Sequence, residues 1–173
     1  IAPYALTAVA RAQRNPHLQC RIDARRRIGG DVEPLAQSAF AVRRALRRGL
    51  GVGVLADHYL APRRGGRLVP FLGRRAWTNS GPGALAAASG SPLLLTHTVP
   101  LGAGRHRIDI GPEILCPRTG DRRRDADVMT KAMNAAIGGW IRKRPEVWLW
   151  YHARFRGSPD VPGADYERAR RRH

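Results

Sequence analysis

Apolar residues recur along this chain with both helical and strand periodicity, between breaks made by proline and glycine. The longest helical pattern spans residues 125–143, where Met129, Met133 and Trp140 lie on one apolar stripe. By contrast, residues 92–99 form a nearly continuous apolar run of strand length, which is typical of a strand buried on both faces of a sheet. The chain therefore combines a long helix with at least one buried strand.

Shorter segments continue this alternation of helices and strands. Helical spacing that ends at proline, asparagine or glycine predicts helices at residues 3–12, 17–28, 35–48 and 80–88, the last of them capped by Thr78 or Ser80. Short apolar or alternating runs predict strands at residues 53–56, 68–72 and 105–110. Because helices alternate with strands, we expect an α/β fold organised as a single three-layer domain.

The balance of charge is strongly basic. Lys+Arg number 31 against 13 Asp+Glu, which gives a formal net charge of +18 and a pI near 11.7. Such a surplus favours a polyanionic partner: nucleic acid, an anionic membrane surface or a phosphorylated substrate. Lys131 and Lys143 are the only lysines. A genomic preference for arginine over lysine explains this, but it does not explain why acidic residues are so few. With 43% apolar and 25% charged among 173 residues, the composition excludes a disordered or fibrous chain and fits one globular domain.

Cysteine usage and hydrophobic runs narrow the class of protein further. Cys20 and Cys116 form neither a CxxC motif nor a disulfide framework, so we expect a reducing compartment. No apolar run approaches the roughly 18 residues of a transmembrane helix. The sequence opens on Ile1 within an amphipathic stretch and shows no signal peptide, so we expect an N-terminal part of the protein to precede it.

Four familiar site patterns are not met. Gly51, Gly53 and Ala56 match the letters of a dinucleotide-binding fingerprint, but the glycines precede a strand and no acid follows about 20 residues on. No GxSxG elbow occurs, and neither cysteine has the local signature of a nucleophile. The histidines lack the spacing of metal ligands, so we predict no metal site and no cofactor. These histidines are His17, His58, His97, His106, His152 and His173.

A candidate site lies at the carboxyl end of the strand predicted at residues 53–56. Asp57 and His58 follow that strand directly. In α/β sheets, ligands and catalytic groups gather at this edge. The alternative is a carboxylate that one of the many arginines holds for structural reasons, and the sequence leaves both interpretations open.

An aromatic segment near the C-terminus is interleaved with basic residues. Trp148 and Trp150 are followed closely by Arg154 and Arg156. Rings beside guanidinium groups suit the headgroup level of a membrane, and they equally suit base stacking on single-stranded nucleic acid. Aromatic core packing is the third interpretation, above all for Trp148.

Four blocks of residues occur in a set order along the chain. They are Arg11 with Asn15-Pro16 and Arg26-Arg27-Ile-Gly29-Gly30, LRRGLGVGVLAD at residues 46–57, VPFLG at 69–73 with Thr78, and PEVWLWYHARFR at 145–156. Taken together they resemble the late acyltransferases of lipid A biosynthesis, of the lauroyl/myristoyl type. The resemblance covers about residues 3–159.

The chain departs from that family's pattern in three places. His58 stands where glutamine is usual, and Ala153 where a basic residue is common. The His-x-x-x-x-Glu/Asp motif, which precedes the first block in such enzymes, is absent, because no histidine here has an acid at the fifth place after it. We therefore expect that motif to lie before Ile1.

The resemblance implies a fold and an activity. The fold would be a mixed, mainly parallel sheet flanked by helices, like that of glycerolipid acyltransferases, over residues 1–159, with a basic, loosely ordered tail at 160–173. The activity would move a fatty acyl chain from an acyl carrier protein thioester to a hydroxyl of a phosphorylated glycolipid, a lipid A precursor or a relative of it. Such an enzyme works at an anionic membrane surface, the cytoplasmic face of the bacterial inner membrane. Residues 1–173 alone would be inactive, since the absent histidine and acid serve as base and orienter.

The resemblance also implies roles for individual residues, and it implies no cofactor. The expected catalytic residues are Arg11 and Asp57; the expected substrate-binding residues are Asn15, Arg26, His58, Arg74, Arg75 and Thr78; and the expected membrane-interface residues are Trp148, Trp150, Arg154 and Arg156. This main interpretation involves no nucleic acid. The competing hypothesis is a non-enzymatic basic module that binds nucleic acid or other anionic surfaces.

Overall fold

A computed structural model of the chain describes residues 6–10, 15–26, 31–34 and 38–161. In chain order, the strands and α-helices are β1 (Leu6–Ala10), α1 (Pro16–Arg26), β2 (Asp31–Pro34), α2 (Ser38–Arg47), β3 (Gly51–Gly53), β4 (Gly66–Phe71), β5 (Arg74–Asn79), α3 (Gly81–Ser89), β6 (Leu94–Gly102), β7 (Arg105–Glu113) and α4 (Arg122–Lys143). Single 3₁₀ turns occur at Pro62–Arg64 and Pro145–Val147. The chain divides into two compact units, Ile1–Leu55 and Ala56–His173.

The N-terminal unit is built on a parallel sheet in the order β2-β1-β3. The central strand β1 pairs with both neighbours, so that Ala8 lies opposite Val32 on one side and Gly53 on the other. Parallel neighbours need a crossover connection. α1 supplies it between β1 and β2, and the segment that contains β2 and α2 supplies it between β1 and β3. The helices predicted at residues 17–28 and 35–48 are thereby confirmed, with boundaries shifted by a few residues.

The first described segment, Leu6–Ala10, is a strand, so the helix predicted at residues 3–12 is wrong for the part of it that the structure describes. Its alanines favour a helix when the segment is taken alone. In the fold, however, the segment has a hydrogen-bonding partner along each edge. Thr7 and Val9 are β-branched and suit such a position, so tertiary pairing overrides the local preference.

The spacing of residues 35–48 predicts that Leu35, Ala39, Val42 and Leu46 form the buried face of this helix and that its arginines point outward. In α2, Val42 is buried together with Ala41 and Ala45, whereas Ala39 is exposed and Leu35 lies outside the described residues. The outward position of the arginines is confirmed, because Arg43 and its basic neighbours along the helix are exposed.

Two antiparallel hairpins contribute the strands of the C-terminal unit. In the first, β4 and β5 are joined by Leu72 and Gly73, both with positive φ, which is the backbone of a tight two-residue hairpin turn. The strand predicted at residues 68–72 is confirmed as β4, and β5 is an addition that its polar sequence did not indicate. Thr78 belongs to β5 and so does not cap α3, where the side chain of Asn79 accepts a hydrogen bond from Gly81 N at 2.9 Å.

The long helix α4 carries the core of this unit. As predicted, Met129 and Met133 face inward, with 1% and 0% of their surface exposed. The helix begins at Asp121, whose carboxylate accepts hydrogen bonds from Arg123 N and Arg124 N at 2.9 and 3.1 Å. The buried apolar residues of the core are Phe71, Ala76, Ala86, Leu95, Ile114, Met129, Met133, Ile137 and Ile141.

The second hairpin, β6 with β7, places only one of its faces against the core. Leu95 and Val99 are buried, while Leu94, Ile108 and Ile110 expose 51%, 68% and 67% of their surface. The burial predicted for both faces of residues 92–99 is therefore wrong, because this strand has one antiparallel partner rather than a central place in a larger sheet. Helices and strands are both present, as an α/β fold requires, and the described strands form three sheets instead of one.

Candidate functional site

Asp57 follows the N-terminal unit and lies in an irregular segment of the C-terminal one. In place of the strand predicted at residues 53–56, the structure has the shorter strand β3, which lies earlier in the chain and ends at Gly53. Asp57 is fixed instead by the C-terminal segment: Trp148 Nε1 donates a hydrogen bond to Asp57 Oδ2 at 3.2 Å. The carboxylate thus has a set orientation, with 28% of the side chain still exposed.

Trp148 holds this position because its ring packs on the core. It is partly buried, with its ring centroid 5.8 Å from that of Phe71 and 4.7 Å from that of Trp150. Core packing is therefore the correct interpretation for Trp148, and its indole N–H serves Asp57 at the same time. A buried indole needs such a hydrogen-bond partner.

Two histidines lie beside Asp57. His58 Nε2 is 3.6 Å from Asp57 Oδ1, and the ring of His58 contacts that of His152 with centroids 4.3 Å apart. Each of these three residues offers a ligand atom, and the three atoms lie within 4.8 Å of one another. Spacing along the sequence gave no sign of this group, since His152 belongs to the C-terminal segment.

Arg154 lies inside the protein, whereas the family resemblance implied a place at a membrane surface. Only 2% of the residue is exposed. Its guanidinium donates hydrogen bonds from Nη1 to Trp77 O at 2.8 Å and from Nη2 to Thr78 Oγ1 at 2.7 Å, and lies 4.5 Å from the centroid of the Phe71 ring. Because this arginine is removed from water, these two nitrogens depend on protein acceptors, while its Nε has no hydrogen-bond partner among the described residues.

The charge of Arg154 is linked to that of Asp57. Burial lowers the pKa of Arg154 to about 10, and the negative charge of Asp57 opposes that shift. Arg154 therefore stays protonated at neutral pH, and its positive charge interacts with the Asp57 carboxylate.

Thr78 supports Arg154 and does not face a substrate. The residue is fully buried, and its hydroxyl donates to Ala76 O at 3.0 Å. The same oxygen accepts hydrogen bonds from Arg154 and from Asn134 Nδ2, the latter at 3.1 Å. The predicted substrate-binding role of Thr78 is thus replaced by a structural one, because every side of its hydroxyl is occupied by protein.

The remaining residues of the aromatic segment lie nearer the surface. Trp150 is 54% exposed and donates its N–H to Pro145 O at 2.6 Å. Tyr151 is 93% exposed and Leu149 59%. Arg156 is half-buried, with its guanidinium 5.5 Å from the centroid of the Tyr59 ring.

Arg74 and Arg75 meet the end of the described chain. Arg75 forms an ion pair with Asp160 at 2.6 Å, and its backbone N–H donates to the same carboxylate at 2.7 Å. Arg74 donates to Asp160 O at 3.4 Å. Hydrogen bonds from the Arg75 side chain are the main cause that lowers the pKa of Asp160. These contacts attach the C-terminal segment to β5.

Replacement of Arg75 by glutamine is expected to raise the pKa of Asp160 toward its ordinary value of 3.8. The backbone N–H of residue 75 still donates to the carboxylate, so the pKa of Asp160 does not return fully to that value. Because the pKa is lower in the folded state, this pair stabilises the fold above the unfolded-state pKa, and that stabilisation is lost as the pH falls through the folded-state pKa. An NMR titration of the Asp160 carboxyl carbon measures the change. Arg107→Gln, which removes the separate pair with Asp109, serves as control, and equal Asp160 midpoints in both variants would contradict the assignment.

The site residues expected in the N-terminal unit are described only in part. Asn15 caps α1, since its Oδ1 accepts hydrogen bonds from His17 N and Leu18 N at 3.0 and 3.2 Å. Arg26 is the last residue of that helix. Arg11, the first expected catalytic residue, lies outside the described residues, as does the tail from residue 162 onward.

The chain matches known proteins over most of its length. A family model described as bacterial lipid A biosynthesis acyltransferase covers residues 3–157. The chain belongs to this family. The lipid A biosynthesis lauroyltransferase of Escherichia coli (strain K12) is 30% identical over 119 residues, which make up 68% of this chain and 37% of that protein. The chain therefore spans little more than a third of the length of this curated relative.

Residues from three of the four blocks that resemble this acyltransferase family lie in the C-terminal unit, which contains only the last two residues of the second block. Asp57 ends the second block, Phe71 and Thr78 belong to the third, and Trp148 and Arg154 to the fourth. The contacts described above join all three around one carboxylate and one buried guanidinium. None of the described helices is long and apolar enough to cross a membrane.

Two residues of this arrangement, Asn134 and Asp160, were not predicted from the sequence. Asn134 is 1% exposed and links Pro70 O to Thr78, yet it was not singled out. A polar residue directly after Met133, on the buried face of α4, was the available signal. Asp160 lies beyond the recognisable blocks, and nothing in its sequence context pointed to Arg75.

Proposed function

We propose that this chain is part of an enzyme that moves a fatty acyl chain from an acyl carrier protein thioester to a hydroxyl of a lipid A precursor or a related glycolipid. Membership of the lipid A acyltransferase family supports the reaction class. The observation that carries the proposal further is the Asp57 carboxylate, which Trp148 orients and with which the charge of the buried Arg154 interacts. Residues from three family blocks converge on it.

Of the catalytic groups that acyl transfer needs, we propose that some belong to residues 1–173 and others do not. Acyl transfer to a hydroxyl needs a base for the proton, an acid to orient that base, and donors for the oxyanion. The His-x-x-x-x-Glu/Asp pair that would act as base and orienter is not among residues 1–173, so we expect them to be inactive alone. Asp57 would organise the site by charge-assisted hydrogen bonds, and Arg11 would bind a phosphate or the oxyanion.

Basic residues are proposed to recognise the anionic reactants. A net charge of +18 would speed encounter with an acidic carrier protein and with phosphorylated glycolipid. Arg26 and Arg74 are the proposed contacts to sugar phosphates. Arg75 is a further candidate, which also forms the ion pair with Asp160. Asn15 and His58 are kept as candidates for the acceptor site.

We propose that the enzyme works at the cytoplasmic face of the bacterial inner membrane. The exposed side chains of Leu149, Trp150 and Tyr151, which are consecutive in the sequence, suit the headgroup level. We also propose that residues 1–159 belong to a three-layer fold with a mainly parallel sheet in the whole enzyme.

An acyl-transfer assay with the full-length protein tests this function. Incubation with acyl carrier protein thioesters and a lipid A precursor is expected to increase the mass of the precursor by one acyl chain. Failure with every acyl chain length would overturn the proposal. A salt-sensitive preference for nucleic acid over anionic vesicles, measured on the same protein, would favour the basic binding module instead.

A further inference from the structure

We propose that Asp57, His58 and His152 bind a divalent transition-metal ion of the zinc type. The ligand atoms of these three residues lie within 4.8 Å of one another, and His58 Nε2 is 3.6 Å from Asp57 Oδ1. Around a zinc ion with bonds of about 2.1 Å, neighbouring ligand atoms lie roughly 3.4 Å apart. Small side-chain rotations therefore bring the set to coordination distance, without a change of the backbone.

The hydrogen bond from Trp148 prepares the carboxylate for this role. It engages Asp57 Oδ2, which leaves Oδ1 directed at His58. An outer partner of this kind fixes a ligating carboxylate and commonly changes metal affinity when it is removed. The carboxylate and the imidazole are also reachable, since 28% of the Asp57 side chain and 46% of the His58 side chain are exposed.

The donor set selects the ion. Two imidazoles and one carboxylate suit zinc, nickel and copper, whereas magnesium and calcium prefer sites made of oxygen ligands. Three protein ligands also leave a position for water.

Calorimetric titration of the chain with zinc chloride tests the site. We expect one ion per chain, no response to magnesium chloride, and an affinity at least about tenfold weaker in His58→Gln and in His152→Gln. His106→Gln changes an exposed histidine on β7 and should leave the affinity within about twofold. Cys20→Ser removes an exposed thiol and should likewise have no effect.

Two results would overturn the proposal: unchanged zinc affinity in His58→Gln, or an equal loss in His106→Gln. If His152→Gln fails to fold, the imidazole NMR signals of the unaltered chain decide the matter. Zinc must then shift the signals of His58 and His152 and leave that of His106 in place; the opposite pattern contradicts the site. None of these measurements uses acyl transfer, so their outcome is independent of the proposed function.

Discussion

Replacement of Arg154 by methionine is expected to lower the free energy of unfolding by about 3 kcal/mol or more. Methionine fills much of the same space but donates no hydrogen bond. Asn134 Oδ1 then loses its donor at 3.3 Å, Thr78 Oγ1 loses one at 2.7 Å, and Trp77 O loses one at 2.8 Å. Each buried polar group left without a partner costs about 1–3 kcal/mol, and the effects are not fully additive.

Denaturant unfolding of the unaltered protein and of Arg154→Met, followed by circular dichroism, measures this loss of stability. Arg63→Met is the matched control, because Arg63 is an exposed arginine of the same unit, and we expect a change within about 0.5 kcal/mol. Equal stability of Arg154→Met and Arg63→Met would contradict a stabilising role for the hydrogen bonds that Arg154 donates to β5.

Replacement of Asp57 by asparagine in the full-length protein is expected to reduce acyl transfer roughly 100-fold or more. The amide keeps the shape of the carboxylate but loses its charge. Trp148 Nε1 still finds an oxygen acceptor, so the fold should persist, while the charge-assisted hydrogen bonds that organise the site are lost.

The matched control for this variant is Asp109→Asn. Asp109 is a partly exposed carboxylate on β7 that pairs with Arg107 within its own strand. We expect that variant to keep near-normal transfer. Circular dichroism and thermal unfolding of Asp57→Asn distinguish a lost activity from a lost fold.

The sequence predicts the helices and the buried stripe of this protein better than its sheets. α4 is evident from Met129 and Met133, because helical periodicity is a local property of one segment. Strand pairing is not local. β1 was predicted to be a helix because nothing in its own residues shows that β2 and β3 lie on either side of it.

Burial of charged residues was equally hard to predict from sequence. Arg154 and Arg156 stand two residues apart in the same basic aromatic segment, yet one is buried and the other half-buried. What separates them is the set of acceptors that β5 and α4 present to Arg154, namely Trp77 O, Thr78 and Asn134. Those residues lie far from it in sequence, so only the fold brings them together.

Asp57 was found from sequence through its position after a short apolar strand and through its family block. Its partners were found only in the structure: Trp148 lies 91 residues further on. A motif identifies which residues matter, whereas the contact that orients the carboxylate depends on the packing of Trp148 against Phe71.

The initial rate of acyl transfer to a lipid A precursor tests the central claim most directly, measured for the full-length protein and its Asp57→Asn variant at equal folded concentration. We predict acylated product from the unaltered protein and a rate reduced roughly 100-fold or more in the variant. Equal rates would contradict the placement of the active site at Asp57.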